Sequence, residues 1–113
     1  MEARVTWMGA GWYDICDEKE VCQGLFFAIE TMGHALLLVR DGKRVYAVEN
    51  RCPHLDESLE FGKVERGEII CPHHKARYRL RDGAPMGAPA KEHLTTFPVR
   101  AHDGRLEVQL VCL

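Results

Sequence analysis

The apolar residues of this chain come in short runs that are separated by turn signals. Runs at residues 25–29, 35–39 and 45–48 each have the length of a β-strand. Asp41-Gly42 lies between the second run and the third. An Asp-Gly pair between two runs rich in strand-forming residues predicts a β-hairpin.

The same pattern recurs near the end of the chain. Residues 95–100 and 105–111 flank Asp103-Gly104, which predicts another hairpin. The last run alternates in polarity, with Leu106, Val108 and Leu110 on one face of the strand and Glu107 and Gln109 on the other. Strict alternation predicts a strand that buries one of its two faces.

Helices are not expected. No window of helical length has a clear period of 3.6, and residues 16–22 have room for one helical turn at most. Residues 83–91 contain two prolines and two glycines, which predicts a loop. The only internal repeat is a doubled Cys-Pro-His, and no linker composition is present. We therefore predict one all-β domain over residues 1–113.

Composition and charge narrow the function. The 113 residues suffice for one modest core, and a formal net charge of -2 argues against a nucleic-acid partner. The longest apolar run, at residues 35–39, is far shorter than the roughly 20 residues that cross a bilayer. Because the N-terminus also lacks a signal-peptide pattern, we expect a cytoplasmic protein that has no membrane partner.

The chain has five cysteines, an odd number that argues against a disulfide framework. In a reducing compartment, cysteines close to histidines are more often metal ligands. Cys16, Cys22 and Cys112 have no histidine near them in sequence, and we expect them to be free or buried thiols.

The two cysteines close to histidines form two short boxes. Cys52-x-His54 is followed, after sixteen residues, by Cys71-x-x-His74, and each box directly follows a strand-like run. Two thiolates and two imidazoles suit either zinc or an iron–sulfur cluster. Zinc sites usually pair cysteine with cysteine and histidine with histidine, so the mixed boxes favour a cluster in which one iron takes both cysteines. The spacing alone leaves open which of His73 and His74 is used.

The pattern resembles the Rieske [2Fe–2S] family, in which two histidines replace two cysteines on one iron. Residues 52–62, CPHLDESLEFG, are similar to the first cluster loop of that family, and residues 68–83 are similar to its second box and the strand that follows. Residues 83–89 resemble its proline-containing third loop, and residues 96–99 resemble the next strand. The resemblance implies stacked antiparallel sheets with a cluster-binding part, at about residues 50–90, that is formed by loops.

The resemblance also implies a cofactor and its ligands. We expect one [2Fe–2S] cluster per chain, bound by Cys52, His54, Cys71 and His74. The family's second box reads Cys-x-x-His, which makes His74 the ligand and His73 a surface or neighbouring group. The isolated histidines His34, His93 and His102 are expected at the surface.

Other positions bear on the reduction potential. The high-potential branch of the family has a cluster-bonding serine and tyrosine at the positions of Ala76 and Tyr78, and a disulfide at those of Glu57 and His73. We therefore predict a potential in the lower part of the Rieske range of roughly -150 to +300 mV. The ring of Tyr78 is expected to pack in the core, where related ferredoxins usually have phenylalanine.

One departure concerns the second loop. Lys75 stands where most members of the family have glycine, which predicts an unusual φ angle. Lys75 also begins a series of alternate basic residues, completed by Arg77, Arg79 and Arg81. The series is either a basic edge for an acidic partner or the solvated face of one strand, and we favour the solvated face.

The resemblance implies an electron-transfer protein, not an enzyme. We expect a monomeric one-electron carrier that takes electrons from a flavin- or NAD(P)H-linked reductase and passes them to a terminal oxygenase. One alternative is the Rieske small subunit of a nitrite-reductase-like complex or another Rieske accessory protein. A second alternative is a structural zinc-binding module.

Overall fold

The fold consists of β-strands in three antiparallel sheets. We describe it from a computed structural model, in residues 11–53, 57–73 and 75–111. The strands are β1 (Gly11–Asp17), β2 (Phe26–Thr31), β3 (His34–Asp41), β4 (Arg44–Glu49), β5 (Lys63–Glu65), β6 (Glu68–Ile70), β7 (Arg77–Arg79), β8 (Thr96–Phe97), β9 (Val99–His102) and β10 (Arg105–Leu110). A single-turn 3-10 helix, Glu18–Glu20, is the one helix among the described residues. The predicted all-β class is confirmed.

The central sheet has the strand order β2-β3-β4-β8. Its strand β3 has four consecutive fully buried residues, Leu36, Leu37, Leu38 and Val39. Leu37 and Val39 belong to one hydrophobic cluster, whereas Leu36 and Leu38 belong to a second. Successive side chains of a strand point to opposite faces, so this sheet is the middle layer between two cores.

The two smaller sheets supply the other sides of these cores. The sheet β1-β10-β9 contributes the alternating residues Leu106, Val108 and Leu110, which are all buried as predicted. The sheet β5-β6-β7 contributes Ile69 and Tyr78 to the other core. This second core, which also contains Cys52 and Cys71, is the one that supports the candidate site.

Each of these four hairpin turns contains a glycine at positive φ, and two of the turns were not predicted from the sequence. The predicted β3–β4 hairpin is present, with Asp41 paired to Arg44, so its turn is Gly42-Lys43 and not Asp41-Gly42. The predicted Asp103-Gly104 turn is also present, with both residues at positive φ. Met32-Gly33 and Arg66-Gly67 make turns of the same kind. Sequence analysis overlooked them because methionine and arginine are poor turn signals.

The predicted strand at residues 95–100 is divided in two. Strand β8 pairs with β4 in the central sheet, whereas β9 pairs with β10 in another sheet. Pro98 lies between them and lacks the N–H that a continuous ladder needs. The chain thus changes sheets at Pro98.

Nowhere in the described segments is there a helix of the length and hydrophobicity needed to cross a membrane.

Candidate metal centre

The first candidate loop leaves the central sheet at the end of β4. The backbone N–H of Asn50 donates to the carbonyl of Ala35, over 2.8 Å, and the chain then reaches Cys52, which is fully buried. The N–H of Cys52 donates to the carbonyl of Glu57 over 2.6 Å. This backbone hydrogen bond joins Cys52 to Glu57, and we call the segment between these two residues the first loop.

The second candidate loop leaves the end of β6 and is closed in the same way. Cys71 follows Ile70 directly and is fully buried, and its N–H donates to the carbonyl of Ala76 over 2.8 Å. Ala76 is itself fully buried, and β7 begins at the next residue. In both loops a buried cysteine bonds to the residue five positions further on, so the two cysteines occupy equivalent places.

The fold brings the two thiols together in one core. Burial raises the pKa of the Cys71 thiol to about 11, the N–H of His73 opposes this shift, and the neighbouring Cys52 sulfur adds to it. Both cysteines are free and not bonded to each other as a disulfide. A thiol whose pKa is raised in this way, like that of Cys71, becomes a thiolate readily only when a positive charge, such as a metal ion, is bound beside it. The cysteine pair therefore fits an iron with two sulfur ligands.

The predicted histidine ligands, His54 and His74, lie outside the described residues. Their neighbour His73 is described, and its ring Nε2 is 3.8 Å from Oε2 of Glu57. The side chains of both residues are about half exposed. His73 thus contacts the first loop at the protein surface. This contact joins Glu57 and His73, the two positions where the high-potential branch has its disulfide.

Tyr78 connects the strand after the second loop to the cysteine of the first. Its ring is fully buried in the core, as expected, and its hydroxyl lies 3.5 Å from Sγ of Cys52. When Cys52 is a thiolate it has no proton, so the hydroxyl must be the donor. Sequence analysis expected core packing for this residue, and the structure adds the contact with sulfur.

The predicted third loop lies along β7. The N–H of Arg79 donates to the carbonyl of Ala84, and the N–H of Met86 donates to the carbonyl of Arg77. Gly83 begins this segment at φ +77, and a Cβ atom there would collide with the carbonyl oxygen of Leu94. Only glycine fits both the backbone angle and this close approach.

Two of the four residues in the basic series, Arg77 and Arg79, are paired with acidic neighbours. Arg77 donates to Glu68 over 3.2 Å, and Arg79 makes a two-pronged pair with Asp82 at 2.9 and 2.6 Å. The hydrogen bonds from Arg79 hold the pKa of the Asp82 carboxyl well below its usual range. These pairs favour the solvated strand face over a continuous basic edge.

The backbone of Lys75 has φ +55, the unusual angle that its position predicted.

Among the remaining described cysteines and histidines, Cys16 is buried, His34 is partly exposed, and the others lie at the surface. Cys16 is buried, and burial together with Glu20 raises the pKa of its thiol to about 11, whereas Cys22 is exposed. Cys112 lies outside the described residues. His34 differs from the expected surface histidine, because it is only partly exposed and its Nε2 is 2.6 Å from the carbonyl oxygen of Val111. His93 and His102 are exposed, as predicted.

Comparison with known proteins identifies the family. Residues 11–98 match the model of the Rieske [2Fe-2S] domain. The ferredoxin component of the naphthalene 1,2-dioxygenase system of Pseudomonas putida is 26% identical over 91% of this chain and 99% of its own length. The ferredoxin subunit of the 3-phenylpropionate/cinnamic acid dioxygenase of Escherichia coli (strain K12) is 31% identical over 84% of this chain and 90% of its own.

A solved structure agrees with these relatives. The complex of reduced oxygenase and oxidized ferredoxin in carbazole 1,9a-dioxygenase contains a chain that superposes with a TM-score of 0.80 at 27% identity. The superposition covers 87% of this chain and 92% of that one. This chain belongs to the Rieske [2Fe-2S] domain family, and its cofactor is one [2Fe-2S] cluster. The predicted family, fold and cofactor are confirmed, and the alternative of a structural zinc module is set aside.

Proposed function

We propose that the loops at residues 50–90 hold the cluster within a single domain. Cys52 and Cys71 would bind one iron, and His54 and His74 the other. The equivalent closure of the two cysteine loops and the pairing of their buried thiols support the sulfur ligands. The exposure of His73 and its contact with Glu57 support the choice of His74 over His73.

The bound cluster supplies reversible uptake of a single electron, at a potential that neutral imidazole ligands raise above that of an all-thiolate centre. The protein's own part is to hold the ligands and to set the charge around them. Tyr78 places a hydroxyl donor beside Cys52, which favours negative charge on that sulfur. The missing serine hydroxyl at Ala76 removes a second donor of this kind, which supports a potential in the lower part of the Rieske range.

On this basis the chain is a one-electron carrier in the cytoplasm. It takes electrons from a flavin- or NAD(P)H-linked reductase and delivers them to a terminal oxygenase through transient contacts, as a monomer. One observation carries this proposal. The relatives are ferredoxin components of dioxygenase systems, and this chain matches them over nearly their whole length. These names favour the carrier over the alternative of a nitrite-reductase-like small subunit.

The ligand proposal is tested by a pair of neighbouring substitutions. His74→Ala removes an iron ligand, so we expect loss of the visible absorption of the cluster and fewer than two irons and two sulfides per chain. His73→Ala is the matched control and should retain iron, sulfide and spectrum. A His74→Ala variant with a full and unaltered cluster, or a His73→Ala variant that loses it, would overturn the assignment.

The carrier proposal is tested by reconstitution. The chain is combined with a reductase and a terminal oxygenase cloned from the same genome, and NAD(P)H oxidation is followed together with product formation. We expect turnover to require all three proteins. Undiminished turnover without this chain, or isolation of the chain only in a stable complex with a large nitrite-reductase-like subunit, would contradict the proposal.

A further inference from the structure

An exposed aromatic side chain projects into solvent beside the second cysteine loop. Phe61 is 81% exposed, which makes it the most exposed large hydrophobic residue in the described part of the chain. Together with Pro72 and the cysteine loop it borders a groove of about 360 Å³. Single exposed apolar residues are common on protein surfaces, but the backbone around Phe61 and the charges beside it set this residue apart.

The turn that carries Phe61 is fixed on both sides. Leu59 is fully buried, and its carbonyl accepts from the N–H of Gly62 over 2.9 Å. Gly62 lies so close to β6 that a Cβ atom would collide with the carbonyl oxygen of Ile70. Phe61 therefore stands between an anchored leucine and a glycine that packs directly against the sheet.

Polar side chains hold the same turn to the base of the first loop. Oδ1 of Asn50 accepts from the N–H of Leu59 over 2.9 Å and from the hydroxyl of Ser58 over 3.1 Å. Nδ2 of Asn50 lies 3.4 Å from Oε1 of Glu60. The backbone of this turn therefore has little conformational freedom to lose when a partner covers the exposed ring. Rigid, pre-positioned aromatic residues are the usual anchors of protein–protein interfaces.

The groove is positively charged although the chain is not. Its lining includes Lys63, Lys75 and Arg77 but only one acidic residue, Glu65, whereas the formal net charge of the whole chain is -2. Arg77 is already paired with Glu68 at 3.2 Å and with Glu65 at 3.9 Å, so the two lysines determine the sign of the groove. A complementary surface would offer an apolar recess for the ring and carboxylates for the lysines.

We propose that Phe61 and its groove are a docking site for the terminal oxygenase, which would present an apolar recess edged by carboxylates. This inference rests on the proposed function, because it names the surface through which the carrier meets its electron acceptor. The groove is lined by Cys71 itself, so a partner that covers Phe61 also comes close to the second cysteine loop. Phe61 sets the position of the partner, and Lys63 and Lys75 contribute attraction that salt weakens.

The first test uses calorimetry to measure binding of the holo-protein to a terminal oxygenase cloned from the same genome. We expect Phe61→Ala to weaken binding roughly tenfold, as for the loss of an interface anchor, and Phe61→Trp to retain most of the affinity. Leu25→Ala is the matched control, because Leu25 is also exposed, at 65%, but precedes β2 at the other end of the central sheet. It should change the affinity less than twofold.

The charge part is tested with a second pair of variants. Lys63→Glu should weaken binding and reduce its dependence on salt, whereas Lys43→Glu, on the β3–β4 turn, should change neither. In every variant the visible spectrum and the melting temperature should match those of the parent, because these side chains are exposed.

The outcomes separate the two proposals. If the parent binds and reduces the oxygenase but Phe61→Ala does so equally well, the docking site is wrong and the carrier function stands. If Phe61→Ala impairs only reduction by the reductase, the docking site for the oxygenase is likewise overturned. If the parent neither binds nor reduces the oxygenase, both proposals fail.

Discussion

The two cysteine loops share their closure but differ in what holds them in place. In each, a buried cysteine donates to the residue five positions further on. The second loop connects two paired strands, since Ile70 and Arg77 are opposite each other in the β6–β7 ladder. The first loop leaves β4 and does not return to it, and its continuation at residues 58–60 is bonded to Asn50 by side chains.

The difference shows two ways of holding a buried cysteine that we propose as an iron ligand. A hairpin needs only backbone pairing to keep its ends together, so the second loop tolerates unusual residues such as Lys75 and His73. A loop without strand pairing depends on particular side chains, here the carboxamide of Asn50. Tyr78 joins the two, because it lies on the strand after the second loop and its hydroxyl contacts the cysteine of the first.

The largest expected effect comes from removing the side chain that holds the first loop. Asn50→Ala leaves the N–H of buried Leu59 without its acceptor, so we expect local opening to become easier by about 2 kcal/mol. Hydrogen exchange should accelerate at the amides of Leu59 and Gly62. The amide of Cys71, in the second loop, should keep its protection.

Asn50→Asp combined with Glu60→Gln is the matched control, because it retains an oxygen acceptor at residue 50 and avoids two carboxylates 3.4 Å apart. Its effect should be smaller than that of Asn50→Ala. Equal acceleration of exchange in both loops would mean that the loops are not supported independently.

A smaller effect, on the reduction potential, is expected from the Tyr78 hydroxyl that contacts Cys52. Tyr78→Phe removes the hydroxyl donor to Cys52 while keeping the buried ring. The hydrogen bond stabilises the more negative, reduced state, so its loss should lower the reduction potential. If the hydrogen bond contributes about 1 kcal/mol, its loss should lower the one-electron reduction potential by on the order of 40 mV. Voltammetry measures it, with Tyr46→Phe on β4 as the control that should leave the potential unchanged. A potential that does not fall would show that the hydroxyl has no influence on the sulfur.

The smallest effect concerns the backbone of the second loop. Lys75 has φ +55, which disfavours any residue with a Cβ atom. Lys75→Gly should stabilise the protein by less than about 1 kcal/mol, because relief of strain is partly offset by the greater freedom of glycine in the unfolded chain. Urea unfolding measures the change. Lys75→Ala removes the charge but keeps the strain and should leave stability nearly unchanged. Equal stabilisation by both substitutions would attribute the effect to charge.

Much of the fold followed from the sequence because its signals are local. Alternation at Leu106, Val108 and Leu110 predicted a half-buried strand, and the Asp-Gly pairs predicted two hairpins. The Met32-Gly33 and Arg66-Gly67 turns were missed since their first residues give no turn signal. The division of one predicted strand at Pro98 was missed because apolar character continues across the change of sheet.

The residues alone predicted the chemistry of this protein, from two cysteines and two histidines in boxes with one and two intervening residues. Ligand type and spacing are local properties and need no fold to be recognised. The tertiary structure decided which groups meet across long separations, namely Cys52 with Cys71, Tyr78 with Cys52 and Asn50 with Leu59. It also decided that Leu59 is buried while Phe61, two residues on, is exposed. Such contacts depend on how strands pair and stack, and many different pairings are compatible with the same pattern of apolar residues.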